Sequence, residues 1–503
     1  MSKSCIIIGG GIGGLFSGAF LSRNGYKVTV LEKNATVGGG LQCFRKKGKI
    51  FETGMHVMGG WEHGGNLSKI CSYLGILDKL NIHHLDSDCM DEIHYVVSDE
   101  VFRIPSGREQ FIKRLSGYFP EEADGIRKYV DRLYALTDEL PLFNMRESTE
   151  SLRIHSEKFL WSSDRLIGYY IKDHRLREIL AYLNPIYGGR AGITPAYIHA
   201  IINVLYINGT SRFVKGSQQL VDALSEIICN GGGGVYGNSE VSSVAVSGDE
   251  VKYVELLDGR RFDADWYISA VHPVEMLRLL PEGTFNKAYV TRLNELPNSY
   301  SAFSLYIDLK PDAFPYIDHT CYYVKDYGEM WRQDKFDIHD WPKIFMYMTP
   351  PDENQGKYAG RMLVHCIMSY GQVRKWEATT VGNRGADYER WKKECTDKII
   401  DRLESLYPGF RCAVAEVYSS SPLTIRDYYH TKEGSMFGYV KDCNNIMLSQ
   451  LSPQTKVRNL LLTGQNIHLH GICGVSLTAI LTAETLLGRN TLVKQINHAS
   501  ANT

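Results

Sequence analysis

Eleven cysteines are spread over this 503-residue chain, yet no two stand at a Cys-x2-Cys or Cys-x4-Cys spacing. That argues against a zinc ribbon or a sequence-local iron–sulfur cluster, and no metal is expected. Their odd number and the absence of a secretory leader pattern point to a reducing compartment, so a cytoplasmic location is expected. An excess of charge of either sign is also missing, with 56 Lys and Arg against 57 Asp and Glu. With no basic arm or acidic tail, nucleic acid is not an expected partner. No segment reaches the roughly 18–20 apolar residues needed to span a bilayer. The apolar stretch Cys5 to Leu21 is no leader either. It carries six glycines between residues 9 and 18, and only Lys3 precedes it as a basic residue. Internal repeats and low-complexity segments are likewise absent.

What is present is the composition of a folded globular chain, 44% hydrophobic and 22% charged, and too long for one core. Ser4 to Ile8 reads as a buried parallel strand. It runs into Gly9-Gly10-Gly11-Ile12-Gly13-Gly14, a G-x-G-x-x-G string, then a helical pattern from Leu15 to Asn24. A second strand, Tyr26 to Leu31, ends at Glu32. Gly9 permits the tight turn, Gly11 lets backbone approach a pyrophosphate, and Gly14 lets helix and strand pack closely. The helix N-terminus offers N–H groups to phosphate, and Glu32 stands where ribose hydroxyls are bonded. Dinucleotide binding is the expectation.

Past Glu32 come Lys33, then Val37-Gly38-Gly39-Gly40-Leu41, and a strand-like stretch to Phe51-Glu52-Thr53-Gly54-Met55-His56. This resembles the second glycine motif of the flavin amine oxidase and phytoene desaturase superfamily, which implies non-covalent FAD rather than NAD. The similarity continues through Phe213 to Leu220, a helix ending near Cys229, and strands at Val241–Val246 and Val251–Leu257. A turn at Asp258-Gly259 and the strand Trp266–Val271 follow. It closes with Asn459 to Gly464, Gln465, and a helix opening around Gly474-Val475. By this resemblance Val241 meets the adenine, Gly464 the ribityl chain, and the last helix the flavin pyrimidine. Three positions depart from the family: Gly216-Ser217 replaces a glycine pair, Asn466 an Asp and His470 a Pro.

The implied fold class is α/β. A discontinuous Rossmann-like FAD domain (1–65, 205–290 and 440–503) combines a parallel sheet with a β-hairpin insertion. A substrate domain of mixed sheet and helices comprises 66–204 and 291–439. Helices are expected at Arg108–Phe119, Glu121–Thr137, Ser163–Leu183 and Ala386–Leu406, and strands at Ser301–Leu309 and Arg361–Ser369.

The string Gly54-Met55-His56-Val57-Met58-Gly59, with Ser421 to Thr424, Gly434 to Gly438 and Gly471 to Gly474, is similar to the retinol saturase and carotenoid isomerase branch. That resemblance implies saturation, desaturation or isomerisation of a hydrophobic polyene or isoprenoid, with NAD(P)H or another reductant as electron source. His56 and His470 are candidate proton donors, since imidazole titrates near neutrality; hydrogen-bonded support is the other reading of each. Tyr428-Tyr429 either line the substrate tunnel or pack, and Cys473 is a small residue at a helix start rather than a flavin thioether. Two rivals stand beside this. An amine or amino-acid oxidase would use Arg190 as a carboxylate anchor, and a prenylated-protein escort would share the fold without flavin. Peripheral membrane contact, through Arg45-Lys46-Lys47 and Lys49 or an amphipathic helix within 150–185, competes with a solvated hairpin face and with core packing. Oligomeric state is not encoded in any pattern found.

Overall fold

The computed structural model describes residues 3–148, 155–332, 336–353, 355–445 and 450–501. Ser4–Ile8 lies at the centre of a five-stranded, wholly parallel sheet, ordered Gly234–Tyr236, Lys27–Leu31, Ser4–Ile8, Trp266–Ser269, Leu460–Leu462. Both faces are covered, which is why the first strand is apolar at every inner position. Ile6 and Ile8 face one hydrophobic cluster, and Cys5 and Ile7 the other. The helix Ile12–Arg23 packs between Gln218–Asn230 and Gly471–Leu487, so three distant stretches share one layer. The hairpin Val241–Ser247 with Glu250–Leu256, extended by Arg261–Phe262, forms a separate three-stranded sheet.

The second large sheet has seven strands, ordered Val414–Ser420, Ser301–Leu309, Arg361–Met368, Ile344–Met348, Thr320–Val324, Asp91–Tyr95, Glu100–Ile104. All its pairings are antiparallel except that of Asp91–Tyr95 with Thr320–Val324. The basic run sits on the hairpin Cys43–Lys46 with Lys49–Glu52. There Lys47 pairs with Glu416 and Lys49 with Asp308, docking the hairpin against this sheet.

Helices form at Arg108–Tyr118 and Ala386–Leu406 as their periodicity implies, and Ala123–Asp138 follows a short 3-10 turn. The single helix expected over Ser163–Leu183 is instead broken into Ser163–Tyr170 and His174–Ile179. Asp173 explains the break, because its carboxylate caps the second piece by accepting from the Arg175 and Leu176 N–H groups. Glu122 holds the break open from outside, accepting from the N–H of Lys172 and Asp173. Of the proposed amphipathic stretch, residues 150–154 lie outside the described residues. Among the described residues no single helix is long and apolar enough to cross a membrane.

The helix Ala196–Ile207 joins the two halves. It lies against Met58–Gly59, and Tyr206 donates from its hydroxyl to the Val57 carbonyl at 3.0 Å. A Cβ on Gly59 would stand 2.4 Å from the Leu205 carbonyl oxygen, so only glycine permits this approach. Gly59→Ala is therefore expected to push the helix away and cost about 1–3 kcal/mol, the usual range for overpacking. Urea unfolding would measure it, and an unchanged midpoint would show that the helix is not pressed onto this segment.

Candidate functional site

A cavity of about 470 Å³ runs along the C-terminal edge of the parallel sheet. The first glycine loop supplies part of its wall through Gly9, Gly11, Ile12 and Gly13. Gly14 does not reach it. A Cβ there would fall 2.3 Å from the Gly9 carbonyl oxygen, so Gly14 serves the packing behind the loop. Gly39, Gly40 and Leu41 form the next stretch of wall. They are held by a parallel bridge between Gly11 and Gly38 and by the Ser217 hydroxyl, which donates to the Leu41 carbonyl at 2.8 Å. That bond gives the Gly216-Ser217 departure a role: the serine ties the second glycine segment to the helix behind it.

Glu32, 7% exposed, accepts from the Gly10 N–H at 2.8 Å and the Asn34 N–H at 2.9 Å. These two bonds aim its carboxylate along the cavity beside Lys33 and Val241, at the end where Glu240, Glu275 and Arg278 also line the wall. From the far end of the chain come Gly464, Gln465, Gly474 and Val475. A Cβ on Gly13 would lie 2.8 Å from Gly464 Cα and 3.3 Å from a Val475 methyl, so the first and last motifs touch backbone to backbone. Asn466, in place of an Asp, accepts from the Tyr439 N–H at 3.1 Å and so fixes the Gly438-Tyr439 turn.

Gly54, Met55 and His56 line the middle of the cavity. Thr53 is clamped there, accepting from the Tyr306 hydroxyl at its carbonyl and from the Tyr429 hydroxyl at Oγ1, both at 3.1 Å. His56 contacts Glu52 Oε1 through Nδ1 at 2.9 Å and the Gly40 carbonyl through Nε2 at 3.0 Å. The geometry makes His56 a brace that ties the run after Thr53 to Gly40 of the second glycine segment and to Glu52.

His470 differs. It is 8% exposed, lines the cavity at the N-terminus of Gly471–Leu487, and its Nε2 has no hydrogen-bond partner among the described residues. Burial, and then the charge of Lys441, push its pKa down to about 3; His468 is likewise held down, to about 4. A buried ring at the positive end of a helix is favoured neutral. Two residues missed from sequence share its situation: Thr431 Oγ1 and His430 Nε2 are buried on the same wall without partners. They fall between Ser421–Thr424 and Gly434–Gly438, and that bracketing is their only sequence signal. All three residues line the cavity while these particular atoms are themselves buried, and leaving such atoms without a partner costs about 1–3 kcal/mol each. FAD fits such a wall, which the glycine loop and Glu32 line at one end.

The remaining wall is apolar. Ile198, Ile201, Ile202 and Leu205 present one face of the Ala196–Ile207 helix, opposed by Val57, Met58, Met436, Phe437 and Leu469. Tyr428 and Tyr429 both line the cavity, and the Tyr429 ring would meet a Cβ on Gly40 at 3.7 Å. Arg190 is not on the wall, which removes the expected carboxylate anchor. Cys473 is on it, but burial pushes its thiol up to about 12, so a nucleophilic thiolate is not available there.

Gly11 offers a selective test. It has extended backbone angles (φ −69°, ψ 172°), and a Cβ there would meet nothing within 4 Å. Gly11→Val is expected to fold with near-normal thermal stability while losing bound dinucleotide, read as visible flavin absorbance per chain. Retained flavin would mean that the pyrophosphate does not pass Gly11.

Comparisons with known proteins agree with this architecture. The chain is 26% identical to the all-trans-retinol 13,14-reductase of Rattus norvegicus, covering 96% of this chain and 86% of that protein. It is 23% identical to prolycopene isomerase 1, chloroplastic, of an Oncidium hybrid cultivar, covering 95% and 82%. Among solved structures, an oxidoreductase from Methanosarcina mazei superposes with a TM-score of 0.63 at 17% identity, covering 96% of this chain and all of that one. Putrescine oxidase bound to putrescine gives 0.64 at 14%, covering 97% and 100%. At these identities the structures speak for the fold alone. The family model described as flavin containing amine oxidoreductase matches residues 12–487, nearly the whole chain, and the protein belongs to that family of FAD-dependent enzymes.

Proposed function

We propose that this enzyme acts on C=C or C–C bonds of a hydrophobic isoprenoid or polyene, by saturation, desaturation or isomerisation. The observation that carries the reading is the change of character along one cavity. Glycine backbone and the Glu32 carboxylate line one end; the isoleucine face of Ala196–Ile207 lines the other, without a charged side chain on that face. An amine or amino-acid substrate needs an ionic partner, because an unpaired buried charge is costly. A polyene needs apolar walls, which Ile198, Ile201, Ile202 and Leu205 provide. The names of the retinol reductase and prolycopene isomerase relatives agree in substrate class.

Bound FAD supplies hydride transfer, and the protein supplies position and electrostatics. Glu32 and the glycine loop would hold the adenosine diphosphate part of the FAD. His56, braced by Glu52 and Gly40, sets the course of Gly54 to Gly59 and hence the gap to the apolar helix. The apolar wall excludes water and orients the chain. His470 is the candidate for holding a proton at Nε2. NAD(P)H or another reductant is the electron source in this reading. The substrate is collected through peripheral contact with a membrane.

Two measurements test this. Reduced anaerobically and mixed with retinoids or carotenoids in micelles, the protein should yield saturated or isomerised product. Failure with every polyene, together with peroxide release from amines in air, would overturn the assignment. Since His470 is neutral well below pH 5, no limb of the kcat–pH profile between pH 5 and 8 should belong to it. His470→Gln should therefore lower kcat without changing the profile's shape; a limb that vanishes in the variant would refute this.

A further inference from the structure

Away from the cavity, three side chains of different donor chemistry converge. Cys89 Sγ, a Glu92 carboxylate oxygen and a His319 ring nitrogen all lie within 4.8 Å of one another. None of the three lines the cavity. The parallel pairing of Asp91–Tyr95 with Thr320–Val324 brings them together. Its register sets Asp91 beside Thr320 and Glu92 beside Cys321, and the Thr320 N–H donates to the Met90 carbonyl at 3.1 Å. Cys89 and His319 thus flank the same strand ends although they are far apart in sequence.

The spacing is close enough for the three to converge on one ion, and the imidazoles of His319 and His94 hold the Glu92 carboxylate well below its usual range. His319 Nε2 stands 3.7 Å from Glu92 Oε1, beyond hydrogen-bond distance. Two ligands on a tetrahedron with bonds of about 2.0–2.1 Å are about 3.4 Å apart. The two carboxylate oxygens of Glu92 are differently engaged. Oε2 accepts from Arg103 Nε at 2.8 Å, and Oε1 contacts His94 Nε2 at 2.7 Å. This fixes the plane of the carboxylate and leaves Oε1 turned toward His319. The Cys89 thiol makes only a long contact, 3.6 Å, to the Asp91 carbonyl. Cys89 and Glu92 are buried, while the His319 side chain keeps 21% exposure, so the cluster can be entered from the imidazole side.

We propose that Cys89, Glu92 and His319 form a binding site for one divalent transition-metal ion of the zinc type, with water in the fourth position and His94 orienting the Glu92 carboxylate. A thiolate, an imidazole and a single carboxylate oxygen form a donor set suited to zinc, whereas magnesium and calcium take oxygen ligands. On binding, the thiol proton of Cys89 leaves to solvent as the sulfur–metal bond forms. Thiolate and carboxylate then balance the two charges of the ion. The His94 contact plays the part that outer hydrogen bonds play for metal ligands elsewhere. Such an ion would staple the two strands that join the early and late parts of the seven-stranded sheet. The proposal does not depend on the flavin reading.

The test uses the full-length, flavin-loaded protein, stripped with a chelator, incubated with Zn2+ alone and desalted. Metal per chain is read by elemental analysis, with flavin per chain as the control for folding. The wild type is expected to retain one zinc and to melt at higher temperature with zinc than without, because the ion binds only the folded state. Cys89→Ser and His319→Ala should keep their flavin, bind zinc at least about tenfold more weakly and show no zinc-dependent melting shift. Glu92→Gln provides a third variant, with the same loss of zinc expected. A wild type that retains no zinc would overturn the site. So would retention of zinc by Cys89→Ser equal to that of the wild type.

Discussion

The contact of Gly13 with Gly464 is the constraint around which the molecule is arranged. With no side chain on Gly13, two chain segments from opposite ends lie at a distance that a methyl group there would forbid. That closeness lets the helices Ile12–Arg23 and Gly471–Leu487 lie side by side over one sheet. The helix starts and the sheet's C-terminal edge consequently open onto a single cavity. Everything between the two segments has to leave this layer and return, which is why strands at 234–236 and 266–269 are threaded into it.

From that anchor the second glycine segment, the Thr53–Gly59 run and the Ala196–Ile207 helix follow as a chain of contacts. Gly11 bridges to Gly38, His56 braces Gly40, Tyr206 holds Val57, and Gly59 lies under Leu205. Each contact is a backbone approach or a side-chain hydrogen bond to a backbone carbonyl, so the width of the cavity is set by main chain and by the two rings, of His56 and Tyr206, anchored to it. A rigid gap of this kind is what positioning a long apolar substrate against a planar ring requires. The two histidines singled out by sequence diverge within this frame. His56 has both nitrogens engaged, while His470 presents a neutral ring whose Nε2 finds no protein partner among the described residues.

The glycine loop, Glu32, the strand Ser301–Leu309 and the helix Ala386–Leu406 were legible because each is local: its signal is a period or a spacing within some twenty residues. Arg190 supports the rival oxidase reading in sequence because a charged residue beside glycines resembles a site, but its place in the fold keeps it off the cavity wall. The helix expected over Ser163–Leu183 was misread because its period continues through Asp173, and the cap that breaks it competes through side-chain hydrogen bonds. Thr431 and His430 carry no motif at all. Only the buried Oγ1 of Thr431 and Nε2 of His430, unpartnered among the described residues, reveal them.

By itself the sequence determined the strands of the parallel sheet and the glycine turns beside them, since short-range pattern dictates which backbone can bend, pair and approach a phosphate; the flavin chemistry came with the family resemblance those motifs carry. Tertiary structure alone decided which histidine is braced, where the apolar wall runs, and that Cys89 and Glu92 meet His319. Those outcomes depend on pairings between residues hundreds of positions apart, whose burial, field and distance no local spacing encodes.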